Sequence, residues 1–307
     1  MATKTTSEKE INYNEIPKKI QRRPYYIVAP GMIILVGIMI PFAIAIFLSF
    51  TNYSFKNEHW HWVWFENWLN MLQDPEFYHS LLTTLEYGVF ATGVQLILGG
   101  VVALLLKKDT LFSKILKVVF TFPLMVAPAI AVLIWQLMTS NSVGVLEKFL
   151  NIFGVYNFPW ASSSGTAMFT AILMDTWVNT PFVLLLVLAG IQSLPKSPFE
   201  AAQVDGANAW FTFKTLTLPM LKPFIYIALL FRLMAALQEF GIIYALSKGG
   251  PGDSLMTLSL TAYMESFKYS KVGVSLPYLL VLWVIVNYSA KAIVNRQRKL
   301  AKQAQGY

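Results

Sequence analysis

The chain has no cysteine in 307 residues, only three histidines, and charged side chains at just 13% of positions. Without cysteine there is no disulfide, no thiolate nucleophile and no cysteine-ligated metal, and the redox compartment leaves no trace in the composition. The scarcity of charge excludes an ordinary soluble domain, in which about a quarter of residues are charged. A G-x-x-x-x-G-K-[ST] phosphate loop is also missing: in Lys248-Gly249-Gly250-Pro251-Gly252 the lysine precedes the glycines. There is no H-E-x-x-H, no Ser/His/Asp order and no pair of carboxylates four apart within an apolar run. These absences exclude a self-contained ATPase and the common hydrolases. A conduit, a transporter component or a receptor remains.

What is present is apolar. Hydrophobic residues make up 56% of the chain and aromatics 15%, with a mean hydropathy of +0.53. Crossing a ~30 Å hydrocarbon core takes about 20 apolar residues in a helix. Runs of that length lie at about 27–50, 82–106, 117–138, 167–190, 224–246 and 274–294. The sequence therefore predicts an all-α integral membrane protein of six transmembrane helices over 27–294, flanked by polar tails at 1–26 and 295–307. The first run is longer than the core of a signal peptide and has no small-residue cleavage pattern after it, so it is expected to stay as a span. Pro41, Pro123, Pro128, Pro181 and Pro277 lie in or near the runs. Proline is tolerated there when neighbouring helices satisfy the freed backbone groups.

The cations divide unevenly. Eighteen of the 24 Lys and Arg residues fall in the two tails and the second and fourth connections, five fall in the opposite connections, and Arg232 lies within a span. The positive-inside rule puts both termini in the cytoplasm. These cations flank spans rather than covering one face of a folded domain, which argues against nucleic acid as a partner. On the outer side, the segment from Trp60 to Trp68 carries four tryptophans, the mark of an interfacial aromatic belt. His59, His61 and His79 are spaced unlike metal ligands, so no metal site is expected.

The fourth connection, about 191–223, reads as ordered. Ser197-Pro198-Phe199-Glu200 has the spacing of a capping box with proline at the first helical position. A short helix is expected from Ser197 to Asp205, ended by Gly206 in the left-handed region. Asn208 can then cap a second short helix, which Leu218-Pro219 is expected to terminate. A passive amphipathic hairpin under the membrane is the plainer reading of the same composition.

Glu200-Ala201-Ala202, Asp205-Gly206-Ala207 and Leu216-Thr217-Leu218-Pro219 resemble the EAA loop of permease subunits in binding-protein-dependent ABC importers. Ala189 to Pro195, Gly249 to Gly252 and Asp74 to Phe77 extend the resemblance, to the carbohydrate branch, over about 25–295. The chain is similar to the larger permease of maltose-type systems but lacks a large outer domain at 139–166. The resemblance implies a permease subunit of a sugar or oligosaccharide importer in a bacterial or archaeal cytoplasmic membrane. It also implies a second permease, two ATPase subunits and an extracellular or periplasmic sugar-binding protein. ATP and Mg²⁺ would be bound by the ATPases, with no cofactor on this chain and no enzyme activity of its own. By the same resemblance Glu200, Ala201, Ala202, Asp205, Gly206, Ala207, Leu218 and Pro219 couple the permease to the ATPase. A polyol or glycerol-phosphate cargo is the alternative, and a stand-alone secondary transporter is a more distant one.

Polar residues within spans point to a substrate path. Asp175 and Asn179 share a face of the fourth span, and Arg232 and Glu239, seven apart, are expected to share a face of the fifth. Trp177 and Tyr244 add aromatic surface at similar depth. Hydroxyls need polar partners while the C–H face of a sugar ring packs on aromatic rings. Pairing of Arg232 with Asp175 or Glu239, holding helices together, accounts for the same residues equally well. Outside, Gly250-Pro251-Gly252 has the order of a type II turn and is a candidate contact for the binding protein.

Overall fold

A computed structural model describes residues 23–56 and 59–304. Lys4, Lys9, Lys18, Lys19 and Arg22 of the expected N-terminal tail, and residues 305–307, lie outside them. Among the described residues the structure is helical, and the one β pairing is an isolated antiparallel bridge between Thr51 and Trp62. The first helix, α1 (Arg23–Leu48), contains Pro30 and Pro41, and its segment Val28–Leu48 has a mean hydropathy of 2.7.

From Ser49 onward the chain folds as a separate body. It opens with a tight loop, in which Val63 donates its backbone N–H to the Phe50 carbonyl at 2.9 Å and the Asn67 amide donates to the carbonyls of Ser49 and Thr51. Then follow α2 (Glu66–Gln73), α3 (Pro75–Leu105), α4 (Leu111–Thr121) with a 3-10 turn (Phe122–Met125), α5 (Pro128–Met138), α6 (Val145–Ile152) and α7 (Ser164–Ser193). Two short helices, α8 (Ser197–Val204) and α9 (Ala209–Thr212), and a π turn (Phe213–Thr217) lead into α10 (Leu218–Leu237). The chain ends with α11 (Gly241–Ser247), α12 (Leu258–Tyr263), a second π turn (Met264–Lys268) and α13 (Val272–Ala304).

Five stretches among the described residues are long and apolar enough to cross a membrane: Val28–Leu48, Pro75–Leu105, Ser164–Ser193, Ala209–Leu237 and Val272–Leu300. A sixth exists only if Leu111–Met125 and Pro128–Met138, which meet at 107°, count as one broken span. The expected run at 117–138 is therefore not a straight helix. The cause is local: Ala127, which precedes Pro128, is extended at φ −61°, ψ 139°, as a residue before proline tends to be. The expected span at 224–246 is broken too. Its helix stops at Leu237 and restarts at Gly241, where the Glu239 carboxylate accepts from the Ile242 N–H at 2.8 Å. That break removes the continuous helix on which a shared face for Arg232 and Glu239 depended.

Three apolar clusters hold this body together. Ala103, Val183, Leu184, Leu188 and Leu221 join α3, α7 and α10 at one end. Tyr87, Trp135, Met174 and Ile242 fill the middle, and Met71, Phe77, Leu258, Tyr278 and Leu282 the other end. The α3–α7 contact is close because Gly99 has no side chain. A Cβ there would lie 2.7 Å from the Val183 Cβ and 3.1 Å from the Leu184 nitrogen. Small residues at such crossings let membrane helices approach.

Candidate functional site

The loop between α7 and α10 forms a knob at one end of the body. Its first helix starts at Ser197, as the sequence suggests, but Lys196 rather than Ser197 occupies the cap position. Lys196 is in the αR region (φ −75°, ψ −33°) and its carbonyl accepts from the N–H groups of Phe199 and Glu200 at 3.0 and 3.1 Å. Ser197 is thus already inside the helix, and the capping box with Glu200 does not form. Gly206 has φ +73°, and the Ala207 N–H returns to the Ala202 carbonyl at 2.9 Å to close the helix. Asn208 caps α9, its Oδ1 accepting from the Phe211 N–H at 2.8 Å.

Leu218-Pro219 does not end the second helix. The π turn carries the chain without a gap into α10 and puts Pro219, which has no N–H to donate, in the first turn. The knob is consequently tied to α7 by Leu194, Pro195 and Lys196 alone and to α10 by unbroken helix. No residue of α8 or α9 is buried, and Val204, Trp210 and Phe211 are 87%, 71% and 53% exposed. Phe199 and Gln203 face Leu104 and Lys107 at the end of α3 across a crevice.

A polar cluster lies midway along the long helices. Arg232 donates through Nη2 to both Asp175 oxygens at 3.3 and 3.4 Å, and through Nε to Gln95 Oε1 at 2.7 Å. Asn179 donates to the same Asp175 carboxylate. Asp175 and Gln95 have no exposure and Arg232 has 6%. The structure therefore brings Asp175, Asn179 and Arg232 together and adds Gln95, which the sequence analysis missed. A lone glutamine in the apolar run of α3 was the available signal. Gln95 of α3, Asp175 and Asn179 of α7, and Arg232 of α10 are pinned in this cluster. Charges buried at such depth persist when paired and hydrogen-bonded.

The other three candidates stand elsewhere. Trp177, two residues from Asp175 and so on nearly the opposite face of α7, meets Trp135 edge to face at 6.2 Å. Glu239 lies at the break before α11, and its backbone carbonyl accepts from Ser259 at 3.0 Å. Tyr244 stacks on Phe240 at 5.1 Å and 15° and meets Tyr263 at 5.1 Å. Phe240 and Tyr263 are further rings beside the break that the sequence did not single out.

At the end of the body opposite the knob, Gly250 and Gly252 line a cleft of about 690 Å³ with Glu76, His79, Glu265 and Lys268. The turn closes one residue later than a type II turn on Pro251 and Gly252 would: the Ser254 N–H donates to the Pro251 carbonyl at 3.2 Å, with Gly252 at φ +54° and Asp253 at φ +60° in its centre. His79 Nε2 lies 2.8 Å from the Asp253 carbonyl, which ties the turn to α3. Burial lifts the Glu265 carboxyl above the usual carboxylate range. Lys271 opposes that shift, while Glu76 and Asp74 add to it. No three or more His, Asp or Glu side chains among the described residues are grouped to hold a metal ion.

Comparison with known proteins accords with this architecture. The chain is 31% identical over 265 residues to a probable ABC transporter permease protein of Sinorhizobium fredii, covering 85% of each chain. It is 36% identical over 207 residues to the trehalose/maltose transport system permease protein MalF of Thermococcus litoralis, covering 67% of this chain and 69% of that one. It is 30% identical to the sn-glycerol-3-phosphate transport system permease protein UgpA of Pectobacterium atrosepticum, covering 86% and 90%. A chain of a bacterial ABC transporter involved in alginate import shares the fold, with a TM-score of 0.76 at 20% identity over 92% of this chain and 98% of that one. Residues 95–299 match the family described as the binding-protein-dependent transport system inner membrane component, and the chain belongs to that family.

Proposed function

We propose that this chain is a permease subunit of an ATP-driven importer of sugars or oligosaccharides, working with a second permease, two ATPase subunits and an extracellular sugar-binding protein. One observation carries the coupling role: a knob with Val204, Trp210 and Phe211 exposed and nothing buried in its two helices. Large apolar side chains gathered on a short cytoplasmic loop suit docking to another protein. The ATPases bind ATP and Mg²⁺, and this chain binds neither.

In this reading Glu200, Ala201, Ala202, Asp205, Gly206 and Ala207 form the surface that seats in the ATPase. Leu218 and Pro219 join that surface to α10 without a slack linker. Movement of the ATPase is then passed to α7 and α10 together. The Arg232–Asp175 pair ties these two helices at mid-depth, and Gln95 adds α3. The cargo passes the break beside Glu239 and Tyr244, with Trp177 at similar depth on another face of α7. Both termini and the lysine-rich connections lie in the cytoplasm. The Gly250-Pro251-Gly252 turn and its cleft face outward, toward the binding protein.

The named cargoes of the relatives, trehalose/maltose and sn-glycerol-3-phosphate, support a carbohydrate and keep a polyol or glycerol phosphate as the second reading. Binding assays on the partner binding protein with neutral sugars and glycerol phosphate separate them. The coupling assignment is tested by Gly206→Pro and Glu200→Ala in the reconstituted complex. Both variants should insert and assemble, yet lose most binding-protein-stimulated ATP hydrolysis. Normal stimulation in both refutes the assignment.

A further inference from the structure

The bend between α4 and α5 leaves a cleft of about 460 Å³ against α7. Leu98 and Val102 of α3, Val119 and Phe120 of α4, and Leu173 and Leu184 of α7 line it. Trp135 and Trp177 also border it. It opens sideways, since Val119 is 60% and Leu98 44% exposed. At one side of a membrane-spanning body, such an opening meets hydrocarbon rather than water.

The segment joining α3 to α4 is predominantly basic. Between the end of α3 and the first turns of α4 stand Lys107, Lys108, Lys114 and Lys117, with Asp109 as the one acid. Asp109 is within 3.5 Å of Lys114 and so is already committed. Lys117 sits one helical turn before Phe120 and therefore on the same side of α4. Lys107 shares a crevice with Phe199 and Gln203, so the lysines lie at the coupling-loop end of the body.

We infer that this cleft is a binding site for an anionic phospholipid, one acyl chain filling the space at the bend and the phosphate group meeting the lysines. Apolar lining alone would accept any lipid. The lysines favour a net negative headgroup over a zwitterionic one, because clustered basic residues beside membrane helices attract anionic lipid. The bound chain would pack behind the bend and steady α4 and α5 against α3 and α7. The site is independent of which sugar is carried.

The test uses the assembled complex in nanodiscs containing equal phosphatidylglycerol and phosphatidylcholine, with retained lipid read by native mass spectrometry. Phosphatidylglycerol should be retained several-fold over phosphatidylcholine. Lys108→Gln and Lys117→Gln should each lower that preference about five-fold at most, and together bring it near parity. Val119→Trp, at an exposed position that fills the cleft, should reduce retention of both lipids while the subunit ratio stays unchanged. Equal retention of the two lipids by the wild type, or an unaltered preference in the double lysine variant, overturns the inference. So does loss of the second permease from the Val119→Trp complex, which would show that protein covers the cleft.

Discussion

Arg232→Met should destabilise the assembled permease far more than it alters its cargo. In the wild type the guanidinium holds a carboxylate with no solvent exposure, at 3.3 Å, and also binds Gln95 Oε1 at 2.7 Å. Removing it leaves Asp175 with neutral neighbours such as the Asn179 amide, and leaves the Gln95 carbonyl oxygen without its guanidinium partner. The Gln95 Nε2 already has no partner. Stranding one member of a buried pair costs about 3–5 kcal/mol, enough to shift the folded fraction by more than a hundred-fold. Asp175→Asn keeps a hydrogen-bonding oxygen but leaves the buried guanidinium without its counter-charge, so it should also cost about 3–5 kcal/mol. Replacing both, as Arg232→Met with Asp175→Leu, removes both charges and should regain most of the loss. The assay is the yield and unfolding midpoint of each purified complex, together with sugar uptake by the variants that assemble. Wild-type yield and midpoint for Arg232→Met, with uptake abolished, would refute the structural pair and make Arg232 a cargo contact.

Gly99→Val should separate α3 from α7, because the Cβ alone would lie 2.7 Å from the Val183 Cβ. Overpacking of this kind costs about 1–3 kcal/mol, to be read as a lower unfolding midpoint. Glu265→Gln tests the cleft beside the Gly250–Gly252 turn. With its folded-state pKa raised above the ordinary 4.5, the wild-type side chain holds its proton more tightly in the fold, so stability is fullest below that value and falls as pH rises through the raised pKa. The Gln variant should lack this fall, seen as a flatter pH dependence of amide-exchange protection over 258–268; parallel profiles would refute it. A photocrosslinker at Asp253, beside the turn, should capture the binding protein in the ATP-bound state, and a working complex that yields no product would leave the turn a purely structural connection.

Much of the fold was legible because the membrane imposes one requirement on every span. Backbone groups must be satisfied within the segment, so each span writes its own apolar run into the sequence. The knob was legible in part for a similar reason. Asn208 and Gly206 act on hydrogen bonds and dihedrals within a few residues of themselves, and both do what their type dictates. Ser197 misled because a cap needs an extended backbone, and the chain at Lys196 is already helical. Leu218-Pro219 misled because proline suits the first turn of a helix as well as its end. The choice between the two was made upstream, by a π turn that the sequence does not announce.

The breaks and the mid-depth pairing were hidden for a different reason. In a soluble helix Pro123 and Pro128 would have forced a stop, but in a membrane the same residues permit a kink, a bend of 107° or an undisturbed helix. Neighbouring helices decide among these outcomes. The partner of Arg232 is likewise a tertiary matter. Both Asp175 and Glu239 were within reach as sequence candidates, and the break after Leu237 takes Glu239 off the helix that carries Arg232. It gives the Glu239 carboxylate a local role at the start of α11, accepting from Ile242, and leaves Asp175 to the guanidinium. A charge whose local backbone offers a hydrogen bond is thereby withdrawn from the long-range choice.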